Sequence, residues 1–97
     1  MKDLEIHKFV VVSTAHVSEA TAKRLDHTPA KDWPCAGGPY AEYGWFVYAH
    51  DENSGPGENA IPADLFDVMT WARRQGCEYI LFDCDADQVD GLPAYDW

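Results

Sequence analysis

Residues 9–12 read Phe-Val-Val-Val and residues 79–82 read Tyr-Ile-Leu-Phe, and these two runs decide the fold class. Each run is apolar and rich in β-branched or aromatic side chains, with no alternation between polar and apolar residues. Such runs are typical of strands that are buried on both faces of a sheet. We therefore predict two adjacent or near-central strands that are covered on both sides.

Two amphipathic segments between these runs predict helices. The first helix is expected over residues 19–27, with Ser18 as its N-cap and a stop at Thr28-Pro29. The second is expected to open at 61–64 and to end at Gly76, with a proline in its first turn and an aspartate at its positive end. Apolar residues follow one another at the three-and-four spacing of a buried helix face, namely Leu65, Val68, Met69 and Ala72.

The remaining segments complete the predicted topology. Residues 28–39 hold three prolines and two glycines and predict a loop, whereas aromatic and β-branched residues over 42–50 predict a strand. Residues 51–59 are polar and predict a turn or loop, and 87–97 are expected to be a short edge strand or a packed extended end. The chain is thus predicted to be a single α/β domain over residues 1–97, a small sandwich in the order β-α-β-α-β with helices packed on the sheet.

Charge is the strongest functional signal in the sequence. The chain has 17 acidic residues against seven lysines and arginines, a formal net charge of −10, and a pI near 4.5. A negative field repels nucleic acid and anionic lipid, so it argues against direct binding to either and favours a basic protein partner. Three cysteines with no paired spacing, a charged N-terminus and no long apolar run predict a cytoplasmic protein without a membrane span.

The acidic residues are concentrated in two stretches that hold no lysine or arginine. Seven acids lie within 32–72 and six within 75–97. A surface of this kind can imitate the phosphates of nucleic acid towards a basic groove, and Tyr or Trp can anchor such an interface. The predicted partner-binding residues are Asp51, Glu52, Glu58, Asp83, Asp85, Asp87, Asp90, Tyr95, Asp96 and Trp97.

The acids after the last predicted strand also suggest a metal site. Carboxylates at the carboxyl end of a strand can hold a divalent cation, so Asp83, Asp85 and His16 form an alternative ligand set. The pattern partly resembles the acidic pair of Toprim nucleases and the first motif of haloacid-dehalogenase phosphatases. The phosphatase motif, however, has Thr where Asp87 stands, and the Toprim motif has a glutamate where Ser13-Thr14 stand. A solvated acidic turn is the favoured interpretation of these acids, and a hydrogen-bonded loop histidine is the favoured interpretation of His16, with a general base as the alternative; the metal site stays open.

A combination of motifs resembles a known family over nearly the whole chain. The combination comprises Ser-Thr-Ala-His at 13–16, Glu-Tyr-Gly-Trp-Phe-Val-Tyr at 42–48, Asp83 and Asp85, and the closing Leu-Pro-Ala-Tyr-Asp-Trp at 92–97. It resembles a family of small proteins of unknown function from bacterial plasmids, integrative elements and phage-derived islands. The resemblance implies a mobile-element setting, in which small acidic proteins often counter host defence.

The leading hypothesis is a non-enzymatic counter-defence protein, directed against CRISPR or restriction systems. It would inhibit a basic nucleic-acid-binding host protein or complex by occupying its groove, without a cofactor, as a monomer or a small homo-oligomer. The first alternative is a small metal-dependent phosphoesterase that uses Asp83 and Asp85. The second is an accessory protein-binding module with no counter-defence role.

Overall fold

Four strands and two helices form the part of the chain that the computed structural model describes, residues 4–53 and 60–97. Two short 3₁₀ turns, Thr14–His16 and Ala30–Asp32, lie between them. The strands and helices, in chain order, are β1 (Phe9–Ser13), α1 (Glu19–His27), β2 (Gly37–Tyr40), β3 (Gly44–Tyr48), α2 (Ala63–Arg74) and β4 (Tyr79–Asp83).

The strands form one mixed sheet in the order β1-β4-β3-β2. The first and last strands pair in parallel, with Phe9 opposite Tyr79 and Ser13 opposite Asp83. The other two pairings are antiparallel, and Gly44 lies opposite Asp83 in the β3–β4 pair. The predicted α/β sandwich and the predicted adjacency of the two apolar runs are therefore confirmed.

Both helices pack on the same face of the sheet, which makes a two-layer sandwich. Val12, Val47, Ile80 and Phe82 point into the single core cluster and are fully buried. The opposite face, called the open face below, is not covered by any element of the described residues. Its side chains are exposed or half-buried, and they are Phe9, Val11, Phe46, Tyr48, Tyr79 and Leu81.

The predicted burial of both apolar runs on two faces is wrong. β1 is an edge strand, with Phe9 53% and Val11 44% exposed. In β4, buried Ile80 and Phe82 alternate with half-buried neighbours. The reason is topological: both helices lie on one face of the sheet, so each strand has only one covered side.

The predicted loop over 28–39 ends in a strand that the composition does not favour. β2 contains two glycines and Pro39, yet it pairs with β3 through a tight turn in which the Tyr43 N–H donates to the Tyr40 carbonyl. An edge strand tolerates proline because one side of it needs no hydrogen-bonded partner. Glycine is required at Gly44, where a Cβ would overlap the Phe82 carbonyl oxygen of the neighbouring strand.

The helices follow the sequence pattern closely. α1 covers the predicted residues, and the Ser18 hydroxyl accepts a hydrogen bond from the Thr21 N–H. The predicted stripe of α2 is buried, and Gly76, at φ +83°, follows the end of the helix. Among the helices of the described segments, none combines the length and the apolar character that a membrane span requires.

One carboxylate joins the amino ends of the two helices. Asp64 in the first turn of α2 accepts hydrogen bonds from the Ser18 N–H at 2.7 Å and from the Thr21 hydroxyl at 2.9 Å. Thr21 is buried, and a buried hydroxyl without a partner is costly. Asp64 therefore fixes how α1 sits against α2.

We expect Asp64→Ala to lower the free energy of unfolding by about 2–3 kcal/mol, because two charge-assisted hydrogen bonds are lost. Urea denaturation followed by circular dichroism measures the change. The matched control is Asp67→Ala, which removes an exposed carboxylate from the same helix. Equal destabilisation by the two substitutions would contradict a linking role for Asp64.

Candidate functional site at the carboxyl ends of the parallel strands

The last fifteen residues form the candidate site, because they collect acidic side chains over one end of the sheet. Residues 83–97, called the acidic tail below, begin at the carboxyl end of β4. Beyond Asp83 they contain no strand or helix, so the tail is a packed extended end, one of the two predicted forms. The parallel pairing of β1 with β4 places the tail beside the 3₁₀ turn that follows β1.

Four hydrogen bonds attach the acidic tail to residues 15–17. The Tyr95 N–H donates to the Ala15 carbonyl at 2.7 Å, and the Trp97 indole N–H donates to the Val17 carbonyl at 2.9 Å. The other two bonds involve His16. Val89 and Leu92 add apolar contact with the core. These hydrogen bonds and apolar contacts thus attach the tail to the domain.

His16 is the centre of this attachment. Its side chain is 1% exposed. Nδ1 lies 2.8 Å from the Pro93 carbonyl oxygen, and Nε2 accepts from the Val89 N–H at 2.8 Å. Since a carbonyl can only accept and an N–H can only donate, the bonds specify the neutral tautomer with the proton on Nδ1.

This geometry corrects the interpretation of His16 as a metal ligand. Both ring nitrogens are engaged by backbone groups of the tail, so neither can coordinate a cation while these bonds persist. In the described residues, the group with ligand atoms close enough to share an ion consists of Asp83, Cys84 and Asp85, without His16. The histidine is a structural clamp for the segment that carries the acids.

The acids of the tail are presented to solvent. Asp85, Asp87, Asp90 and Asp96 are exposed, and Asp83 is half-buried. The Asp83 carboxylate accepts the Asp85 N–H at 2.9 Å and so shapes the turn that follows the strand. The sequence places no lysine or arginine within the tail to offset these charges.

Cys84 lies between the first two of these acids. Partial desolvation of its thiol, followed by the negative charges of Asp85 and Asp83, raises the pKa of Cys84 above its ordinary value. A raised pKa disfavours the thiolate, which is the form that attacks substrates and binds metals. These surroundings therefore act against activation of Cys84 as a nucleophile.

Two acids outside the tail lie close to it. Asp26 and Glu42 line a cleft of about 160 Å³ together with Cys84 and Trp97. The Asp26 carboxylate also accepts a hydrogen bond from the Trp45 indole N–H at 2.9 Å. Both acids also line a larger neighbouring cleft of about 470 Å³.

Sequence reasoning missed this extension of the acidic site, because it counted Glu42 among the acids of 32–72 but gave no weight to Asp26, which lies outside both acidic stretches. Asp26 lies in the last turn of α1 and Glu42 belongs to the turn between β2 and β3, so no local motif joins them. One signal in the sequence was available, namely Trp45 in the aromatic strand that follows Glu42. A buried indole N–H requires an acceptor, and a nearby acid such as Asp26 can supply it.

The other predicted acidic segment lies elsewhere. Asp51 follows β3, which runs antiparallel to β4, and it borders a cavity of about 300 Å³ with Thr70, Arg73 and Arg74. Asp51 and its exposed neighbour Glu52 are therefore at the opposite end of the sheet from Asp83. Glu58 lies outside the described residues. The predicted acidic residues do not form one continuous surface.

Fold and site together define a small two-layer α/β domain with a clamped acidic tail. The chain belongs to a family of unknown function, since residues 9–97 match the model of the DUF5983 C-terminal domain. Comparisons with the curated proteins and with the solved structures give no match. Membership of a family of unknown function is thereby confirmed, while the motifs quoted for the resemblance and its mobile-element setting stay predictions.

We expect His16→Ala to free the acidic tail and to lower the free energy of unfolding by about 2–4 kcal/mol. The substitution removes two buried hydrogen bonds and leaves a cavity. Hydrogen exchange at the Val89 and Tyr95 amides should accelerate beyond what global destabilisation explains. His27→Ala, at an exposed position of α1, is the matched control. Unchanged protection of both tail amides would refute the clamp.

Proposed function

We propose that this domain is a counter-defence protein of a mobile element that inhibits a nucleic-acid-binding host protein or complex. The acidic tail would occupy the basic groove that otherwise holds the phosphate backbone. The reaction to be blocked is recognition or cleavage of foreign nucleic acid, by a restriction or a CRISPR system. No cofactor is required for such a role.

One observation carries this proposal, namely that the acidic tail is fixed to the domain rather than left free. Its exposed carboxylates are spaced along a segment held by His16 and by the bonds of Tyr95 and Trp97. Charges that are ordered before binding lose less conformational entropy on association. A clamp of this kind is unnecessary if the acids serve only solubility.

The surroundings of the tail support an interface of mixed character. Trp97 is 52% and Tyr95 37% exposed, so both rings can contact a partner beside the charges. Aromatic side chains at the edge of a charged patch are typical anchors of protein interfaces. Asp26 and Glu42 extend the negative surface towards the neighbouring cleft.

The second candidate function is a metal-dependent phosphoesterase. It is favoured by the ligand atoms of Asp83, Cys84 and Asp85, which all lie within 4.8 Å of one another. Against it, Asp83 is engaged by the Asp85 N–H, and His16 is committed to the tail backbone. The Asp83 carboxylate thus has a structural explanation, and the inhibitor is the stronger proposal. An accessory binding module without a counter-defence role would use the same surface.

We expect the triple substitution Asp85→Asn, Asp87→Asn and Asp90→Asn to abolish inhibition while leaving the fold intact, because exposed carboxylates contribute little to stability. The measurements are DNA binding by restriction and CRISPR effectors in the presence of the purified protein, and phage plating on hosts that express it. Inhibition by the wild type should weaken at least about tenfold between low and physiological salt.

The matched control removes three negative charges from exposed acids outside the predicted binding set, through Glu19→Gln, Asp32→Asn and Asp67→Asn. It should inhibit as the wild type does if the tail, and not net charge, is responsible. Loss of inhibition in both variants would mean that the inhibition depends on the net charge of the protein and not on the acidic tail. A rise in melting temperature with Mg²⁺ or Mn²⁺, together with hydrolysis of a phosphodiester, would contradict the inhibitor and support the metal-dependent phosphoesterase.

A further inference from the structure

Arg73 and Arg74 contrast with the acidic character of the chain. Beyond Lys31 the sequence has no other lysine or arginine, although seven acids lie within 32–72 and six within 75–97. No carboxylate of the described residues forms an ion pair with either arginine. Two adjacent guanidinium groups without an internal counter-charge, in a protein so rich in acids, indicate a site for an external anion.

Both arginines line the cavity of about 300 Å³ at the end of the sheet opposite the acidic tail. Thr70 lies three and four residues before them, and therefore on the same face of α2. His50 and Asp51, which follow β3, complete the lining. Cavities that hold small organic ligands begin at about 300 Å³, so this one is large enough for such a ligand.

Arg73 is held in place by the protein itself. Its Nε donates to the Ala49 carbonyl, and Nη2 donates to the Tyr48 hydroxyl at 2.7 Å. The guanidinium carbon also lies 5.1 Å from the centroid of the Tyr48 ring, which belongs to the open face. A guanidinium has five N–H donors, so three remain after these two bonds. Because the side chain is already ordered, these donors can bind a ligand at a low entropic cost.

His50 adds a neutral donor to the cavity. Its Nε2 accepts a hydrogen bond from the Ala36 N–H at 3.0 Å, so the proton of the neutral ring lies on Nδ1. Burial of the ring, followed by the positive charge of Arg73, lowers the pKa of His50 against the opposing effect of Asp51. The ring is therefore neutral at about pH 7, with its Nδ1–H as the one donor.

Three donor groups of the cavity have no partner in the part of the chain that the structure describes. They are the Thr70 hydroxyl, the Nδ1–H of His50 and the guanidinium of Arg74. The last carbonyls of α2 do not oppose an anion, because they accept from the N–H groups of residues 75–77. Four side chains from two segments thus supply donors to one cavity.

We propose that this cavity binds the phosphate group of a small molecule. Two guanidinium groups, a hydroxyl and an imidazole N–H suit a phosphate, which offers several oxygens in a tetrahedral arrangement. A carboxylate has two oxygens in one plane and would leave part of these donors unpaired. This inference is independent of the proposed function, which uses the acidic tail at the other end of the sheet.

The charges near the cavity favour a small phosphate over a nucleic acid. Two of the charged side chains that line it are positive and one, Asp51, is negative. Exposed Glu52 and Asp67 do not line the cavity, and the Glu78 carboxylate is engaged by the Lys8 N–H. Charges beyond about 8 Å are largely screened at physiological salt, so a small ligand meets mainly the two arginines. A nucleic acid would extend over the acidic surface around them and be repelled.

Titration of the ¹⁵N-labelled full chain with inorganic phosphate and with glycerol phosphate, followed by NMR, tests the site. Both ligands should shift the resonances of the five residues that line the cavity, with a dissociation constant of about 1 mM or below. Arg74→Gln should weaken binding at least about tenfold, because it removes a charged donor. Lys31→Gln removes an exposed positive charge outside the cavity and should bind as the wild type does.

A second variant should change the affinity in the opposite direction. Asp51→Asn removes the carboxylate that lines the cavity and should tighten phosphate binding by about two- to fivefold. Because a poorly folded protein does not gain affinity, this variant keeps the test decisive if Arg74→Gln is destabilised. Unchanged or weaker binding by a folded Asp51→Asn variant would contradict the site.

The ligand series identifies the source of the phosphate. Tighter binding of glycerol phosphate than of inorganic phosphate would assign the site to a phosphate monoester, and equal binding would assign it to the free ion. Succinate that binds as tightly as phosphate, or preferred binding of a single-stranded DNA oligonucleotide, overturns the proposal. Absence of shifts at the cavity residues with both phosphate ligands also overturns it. The assay needs no host effector, so failure of the proposed inhibition leaves its outcome unaffected.

Discussion

The parallel pairing of β1 with β4 is the constraint on which the rest of the structure depends. It joins residues about seventy positions apart, and it requires both helices and the β2–β3 pair to be accommodated between the two strands. Because the strands are parallel, their carboxyl ends meet at one end of the sheet. The segments that leave these ends, the 3₁₀ turn before α1 and the acidic tail, are therefore neighbours. The hydrogen bonds of His16 follow from that proximity, since they join residue 16 to residues 89 and 93.

Local sequence patterns correctly predicted the elements that depend on interactions between residues close together in the chain. Ser18 caps α1, and the stripe from Leu65 to Ala72 faces the core, because N-capping and helical periodicity act over a few residues. The edge position of β1 was not predictable in this way. An apolar run of four residues fits either a strand covered on two faces or an edge strand whose exposed side chains bind something else. β2 was missed for a related reason: its pairing with β3 depends on the turn at Tyr40–Tyr43 and not on the propensity of its own glycines and proline.

The candidate site was predicted in part. Acids after β4 were correctly expected at the carboxyl end of a strand, and the packed tail was one of the two forms foreseen. For His16, a loop histidine satisfied by hydrogen bonds was the favoured interpretation, and a general base or a metal ligand was the alternative. Only the distant partners decide between these roles, and here both are backbone groups of the tail. The sequence likewise did not indicate that Asp51 and Asp83 lie at opposite ends of the sheet, since this results from the antiparallel direction of β3 and β4.

Charged and apolar surfaces are separated within this small domain. The acidic tail occupies one end of the sheet, while Arg73 and Arg74 lie with Asp51 near the other end, and the exposed apolar residues follow the edge of β1 between them. Because Arg73 and Arg74 lie at the far end of the sheet, they do not neutralise the carboxylates of the acidic tail. A basic partner that approaches the tail would therefore meet its full negative charge.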